Sequence, residues 1–129
     1  MITFNFQYKF KFVERTFFRQ WLSALVESHH KKIGDINYIF CDDEYLLSIN
    51  QHYLNHDTYT DIITFDYCED DSLQGDIFIS IERVRENAVM YHDSFENELH
   101  RVMAHGVLHL CGYKDKSEEE ALAMRYQEQ

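Results

Sequence analysis

The chain has 129 residues, 45% of them hydrophobic and 16% aromatic, which fits one domain spanning residues 1–129 with a single core and excludes a disordered chain. A formal net charge of −11 excludes a protein that coats nucleic acid by charge alone, because that mode is driven by Lys and Arg. Apolar runs of only a few residues are too short for a membrane span. The opening stretch "MITFNFQYKF" lacks the basic-then-apolar layout of a signal peptide, so a cytoplasmic protein without membrane contact is expected. Cys41, Cys68 and Cys111 are an odd set with no CxxC spacing; they are expected to be reduced and to behave as small buried hydrophobes.

Along the chain, Ile2, Phe4, Phe6, Tyr8 and Phe10 alternate with polar residues and predict a half-buried strand. "VERTFFRQWLSALVESHHKK" places Phe17, Trp21, Leu22, Leu25 and Val26 at helical spacing, with Gly34 expected to end the helix. "DINYIFCD" alternates again as a second strand, and Asp42 or Asp43 is suited to cap a short helix through Tyr53. "TDIITFDY", Thr60 to Tyr67, reads as a third strand, "CEDDSLQG" as an acidic loop and "DIFIS" as a fourth strand. Ser80 is placed to cap a helix over "IERVRENAVMYH", and "FENELHRVMAHGVLHLC" predicts a long helix stopped by Gly112. "SEEE", Ser117 to Glu120, fits a capping box opening a terminal helix. The expected class is α/β (α+β), a small mixed four-stranded sheet with about five helices.

Chemistry concentrates in "HGVLHLCGYKD", His105 to Asp115. His105 and His109, four apart on a helix, project from one face one turn apart, the spacing zinc uses in H-E-x-x-H sites. Gly112 and Asp115 then fall at the offsets of the glycine and third ligand of the metzincin pattern, giving a metzincin-like geometry on the long helix. His105, His109 and Asp115 are thus candidate ligands of one Zn²⁺ ion, with a fourth position left open as in a catalytic site; the alternative from spacing alone is two surface or core histidines and a turn residue. Position 106, where a zinc protease has its general-base Glu, is Gly106. Peptide hydrolysis by the usual route therefore lacks a base. A helix-interior glycine costs roughly 1 kcal/mol relative to Ala, which suggests that something approaches the backbone there. Cys111, two residues past His109, points to the other side of a helix and is expected in the core.

The same motif resembles the H-G-x-L-H-L-x-G-Y-D-H signature of the YbeY family of bacterial rRNA maturation factors. "TDIITFDY" is similar to that family's T-D-V-L-S-F-P segment and "GDIFIS" to its G-D-I-x-I-S strand, the likeness running from about Ile36 to the C-terminus. The resemblance implies a zinc-dependent, single-strand-specific endoribonuclease in 16S rRNA 3′ end maturation and ribosome quality control. It also implies single-stranded rRNA and the small ribosomal subunit with its associated proteins as partners. His105 and His109 match two family ligands, and Asp115 stands where the family has a third histidine. A family arginine falls on Leu54 in "INQHYLNHD"; a leucine cannot stabilise phosphoryl charge, so His56 and Arg101 become the candidate catalytic residues, Arg101 lying one turn before His105 with Glu98 as the partner of an ordinary surface ion pair. The alternative is a ribosome assembly factor whose zinc is mainly structural. A further alternative is a metal-dependent hydrolase of another substrate.

Metal chemistry without the glutamate still suits RNA, whose own 2′-OH can attack the adjacent phosphate. Lys9, Lys11, Arg15, Arg19, Arg83, Arg85 and Arg101 are candidates for a basic strip, and Tyr8, Tyr67 and Phe78 for base stacking. Asp61 and Asp76 match family acids, in chemistry or in holding loops. A monomer is expected.

Overall fold

The periodicities of the sequence set out a sheet with helices on both faces. The structure, a computed structural model, describes residues 1–12, 15–55 and 59–112. Elements follow in the order β1 (Ile2–Phe6), α1 (Arg15–Ser28), β2 (Lys32–Cys41), α2 (Asp43–Tyr53), β3 (Ile62–Asp66), β4 (Ser72–Ser80), α3 (Ile81–Met90) and α4 (Phe95–Leu110). The mixed sheet has the strand order β1-β2-β4-β3. Its first three members are parallel, and β3 runs antiparallel on the edge beside β4. The terminal helix expected from Ser117 lies outside the described residues, which hold four helices.

Alternation along the strands sorts the two faces. Ile2, Ile36, Tyr38, Phe40, Leu73, Ile77 and Ile79 join Phe18, Leu22 and Val26 of α1 and Leu99, Val102, Met103, Val107 and Leu110 of α4 in the main core. The opposite face carries a smaller cluster, Cys41, Leu46, Ile49 and Ile63, beneath α2, with Phe65 and Phe78 packed on it. Tyr38 anchors the main layer: its buried hydroxyl donates to the Met103 carbonyl at 2.8 Å, and burial holds the phenol neutral far above its usual range.

Several boundaries differ from the sequence expectation for tertiary reasons. β1 stops at Phe6 rather than Phe10, because the amides of Gln7 and Tyr8 both donate to the Phe40 carbonyl and the chain leaves the sheet. Phe10 and Phe12 then fold back onto Phe6 and Phe40. Gly34 does not end α1; it lies within β2, and the helix stops at the turn through His30, which takes a left-handed φ of 60°. Asn55 and His92 do the same after α2 and α3, since Asn and His tolerate that region better than most residues. β4 starts at Ser72, so the loop shrinks to the acidic turn around Asp70. Of the two candidate caps, Asp42 caps α2 by accepting from Tyr45 N, whereas Asp43 accepts from Arg83 and Ser80. Ser80 and Ser94 cap α3 and α4.

Candidate active site

α4 brings both histidines to the β3 edge, and Gly106 is what lets it come close. A Cβ at position 106 would lie 2.9 Å from Ile77 Cγ2 and 3.1 Å from Ile62 Cδ1. The helix-interior glycine thus accommodates the sheet rather than a ligand. A glutamate there would be driven into apolar contacts. Gly112 follows α4 with φ of 106°, a conformation that favours glycine, as its spacing suggested.

The edge of β3 that pairs with no described strand borders a cleft of about 430 Å³, lined by Asn50, Leu54, Thr60, Ile62, Ile63, Thr64, His105 and His109. α4 supplies one wall, α2 the opposite wall, and β3 with the preceding loop the floor. Both rings of the sequence motif therefore meet in one place. Nδ1 of His109 is buried, which leaves Nε2 as the nitrogen through which this ring would meet a ligand in the cleft. Two imidazoles on one helix face at an open cleft are a donor pair suited to zinc. Among the described residues no group of three His, Cys, Asp or Glu side chains forms a metal-holding set. The expected third ligand, Asp115, and the candidate His56 lie outside the described residues.

Arg101 sits one turn before His105 but is not among the residues lining the cleft. Its guanidinium binds the carboxylate of Glu98, which is only 3% exposed, with a second contact at 3.3 Å, and lies 4.0 Å from Asp61. The Asp61 carbonyl in turn accepts from Ser80 N. This arrangement ties α4 to the loop that enters β3. Asp76 has a similar holding role, accepting from Asn37 Nδ2 at 3.0 Å across the sheet.

The basic strip does not assemble at the cleft. Arg15 and Arg19 lie over Phe6 and Phe4 at the β1 edge, Arg85 lies over Tyr8 and Phe95, and Arg83 pairs with Asp43 and Glu86. Phe78 is packed under Phe65 and Tyr45 rather than presented for stacking. Cys111 packs against the core as expected, and burial pushes its thiol up to about 11. Burial pushes Cys41 further, to about 12, with Asp42 and Asp43 adding to it.

Leu54, the position where the resembling family has arginine, does line the cleft and is 42% exposed. Sequence reasoning missed Asn50, Thr60 and Thr64. For Asn50 a signal was present: it falls on the stripe Leu46, Ile49, Asn50, Tyr53 that turns α2 toward the sheet, where core packing alone calls for an apolar residue.

The sequence model of the family described as Endoribonuclease YbeY matches residues 3–129. The Endoribonuclease YbeY of Flavobacterium psychrophilum is 59% identical over 128 residues, covering 99% of this chain and 91% of that protein. That of Flavobacterium johnsoniae is 56% identical over 128 residues, covering 99% and 92%. A solution structure from Thermotoga maritima aligns with a TM-score of 0.67 and 26% identity, covering 99% of this chain and 86% of that one.

Proposed function

The chain belongs to the Endoribonuclease YbeY family, and from that membership and the cleft we propose that it is a zinc-dependent endoribonuclease cutting single-stranded ribosomal RNA. The observation that carries the proposal is the convergence of His105 and His109 on the cleft that borders the edge of β3. The relatives are named for the nuclease activity, which favours an enzyme over an assembly factor with a structural ion.

His105 and His109 would hold one zinc ion, with Asp115 as third ligand. Zinc, when bound, supplies Lewis-acid polarisation of a phosphoryl oxygen. The chain's own residues do the rest. Ile62, Ile63 and Leu54 give the cleft an apolar lining that limits water around the strand. Arg101 acts by holding the β3 entry against α4 through Glu98 and Asp61. His56, two residues beyond Leu54, is the candidate to carry a proton. RNA brings the nucleophile itself: the 2′-oxygen attacks the adjacent phosphorus and the 5′-oxygen leaves, so no glutamate at position 106 is required.

The same reading has the protein working as a cytoplasmic monomer on the small ribosomal subunit, at the 3′ end of 16S rRNA. No helix among the described residues is long and apolar enough to cross a membrane.

The test is cleavage of a short labelled single-stranded RNA by the purified protein, beside His109→Ala and a chelator-treated sample, with zinc content measured in each. Cleavage lost in both controls together with the bound zinc is the expected result. Cleavage unchanged in His109→Ala would overturn the assignment of the site. Zinc retained with no cleavage by the native protein would overturn the enzymatic reading.

A further inference from the structure

The cleft has an electrostatic peculiarity for a site that would receive a phosphodiester. Its described lining contains no Lys, Arg, Asp or Glu. The nearby arginines are committed to carboxylates, Arg101 to Glu98 and Asp61, and Arg83 to Asp43 and Glu86. With a formal net charge of −11, the protein as a whole repels the RNA backbone rather than attracting it. Among the described residues, a phosphate in this cleft would be met by neutral donors on the walls away from the histidines.

Three side chains there carry a donor. The Thr60 hydroxyl is turned onto the Ile62 carbonyl at 3.3 Å, and Thr64 belongs to the floor. The α2 wall, opposite the histidines, contributes Leu54 and Asn50. Asn50 is only 5% exposed, yet it faces the cavity from within an apolar stripe. Its carboxamide brings two N–H donors and one acceptor to a wall that is otherwise hydrocarbon. Leu54 follows one helical turn later on the same face, so among the described residues a donor on this wall stands at position 50 or 54.

We propose that Asn50 is a substrate-binding residue, its side-chain N–H donating to a non-bridging phosphate oxygen of the RNA strand held across the cleft from His105 and His109. This rests on the endoribonuclease reading above. Asn50 thereby supplies, as a neutral dipole, the contact that a cation at position 54 would supply as a charge. Binding at this point then depends only weakly on salt, because a neutral donor releases no counterion.

The experiment measures binding of a fluorescent single-stranded 2′-O-methyl oligoribonucleotide, which lacks the attacking hydroxyl, by anisotropy. Native protein, Asn50→Ala, Asn50→Asp, Leu54→Arg and the Asn50→Ala/Leu54→Arg double variant are compared, zinc-loaded and chelator-treated, alongside kcat and KM for the cleavable RNA. Asn50→Ala is expected to weaken binding about tenfold, the loss of one hydrogen bond to a charged acceptor, with and without zinc. Asn50→Asp, nearly isosteric, weakens it further. In the double variant Leu54→Arg restores affinity and steepens the salt dependence by about 0.7 in log Kd per log salt, one phosphate contact on a single strand. Leu54→Arg should gain more affinity in the Asn50→Ala background than in the native protein; equal gains in the two backgrounds would overturn the shared contact.

Folded Asn50→Ala binding as tightly as native protein overturns the proposal. Should Asn50→Ala fail to fold, unchanged binding by folded Asn50→Asp overturns it equally. Native protein that binds the oligonucleotide without cleaving RNA refutes the nuclease reading, while the binding comparison still decides the role of Asn50. Native protein that neither binds nor cleaves refutes both.

Discussion

The two edges of the sheet have opposite surroundings. At β1 the edge is closed over: Arg19 Nε donates to the Ile2 carbonyl at 3.1 Å, and the guanidinium groups of Arg15 and Arg19 lie over Phe6 and Phe4. Phe10, Phe12, Phe18 and Phe40 continue this aromatic packing inward. At β3 the edge is bordered instead by a cleft with isoleucines, threonines, an asparagine and two histidines. An edge strand with open backbone groups is a liability unless it is covered or used. This protein covers one edge with arginines and aromatics and borders the other with the cleft proposed above as its active site.

The contrast is broken most severely at Gly106. Gly106→Glu should cost about 3 kcal/mol or more, from overpacking against Ile77 and Ile62 and from burying an unpaired carboxylate. RNA cleavage and zinc retention should fall with it, because α4 can no longer seat on β3 and β4. Urea unfolding and zinc content measure both, and native-like values in both would remove the packing role assigned to this glycine.

Arg101→Ala comes next. It leaves Glu98 buried without its ion-pair partner, a cost of about 2–3 kcal/mol once discounted for Arg101 being a third exposed. Combining Glu98→Gln with Arg101→Met should recover most of that stability in the same urea experiment. Cleavage recovered along with stability would confine Arg101 to pairing the buried Glu98; cleavage still absent in a fully stable double variant would mean that its tie to Asp61, or a contact with RNA, is required.

A milder test acts on the closed edge. Arg19→Ala removes one hydrogen bond and one ring contact, about 1 kcal/mol, and should leave cleavage unchanged. A kcat that fell with it would show that the two edges are not separate.

The smallest effect concerns the N-terminal end of α4. The Asp93 carboxylate accepts from the Asn97 side chain and from Ser94 N, which holds its pKa below the usual value. Its folded pKa lies below its unfolded pKa, so its stabilising contribution is present above about pH 4 and is lost as pH falls through the folded value. Asp93→Asn should therefore show a slightly shallower decline of Tm between pH 6 and pH 3. Superimposable acid profiles would place the acid sensitivity elsewhere.

Much of this was legible before any coordinates. Period-two alternation located the four strands, because each strand lays at least one face on apolar residues. Helical spacing located α1 to α4, and Ser80 and one of Asp42 or Asp43 were readable as caps, whereas Ser94, which caps α4, was not read. His105 and His109 were legible because an i, i+4 pair on any helix shares a face. Gly34 misled, since a glycine signals a turn only when the chain has no competing partner there. Here Lys32 N donates to the Asp71 carbonyl and draws the segment into β2.

What the sequence determined by itself was local: the elements, most of their caps, and the histidine pair with its glycine, all set by backbone geometry within a few residues. Only the tertiary structure decided that β3 would be an edge strand, that Gly106 would face Ile77, and that Asn50 and Leu54 would stand across from the histidines. Those facts depend on which strands pair and on how near a helix can approach a sheet. Such contacts join residues tens of positions apart, and no short-range periodicity encodes them.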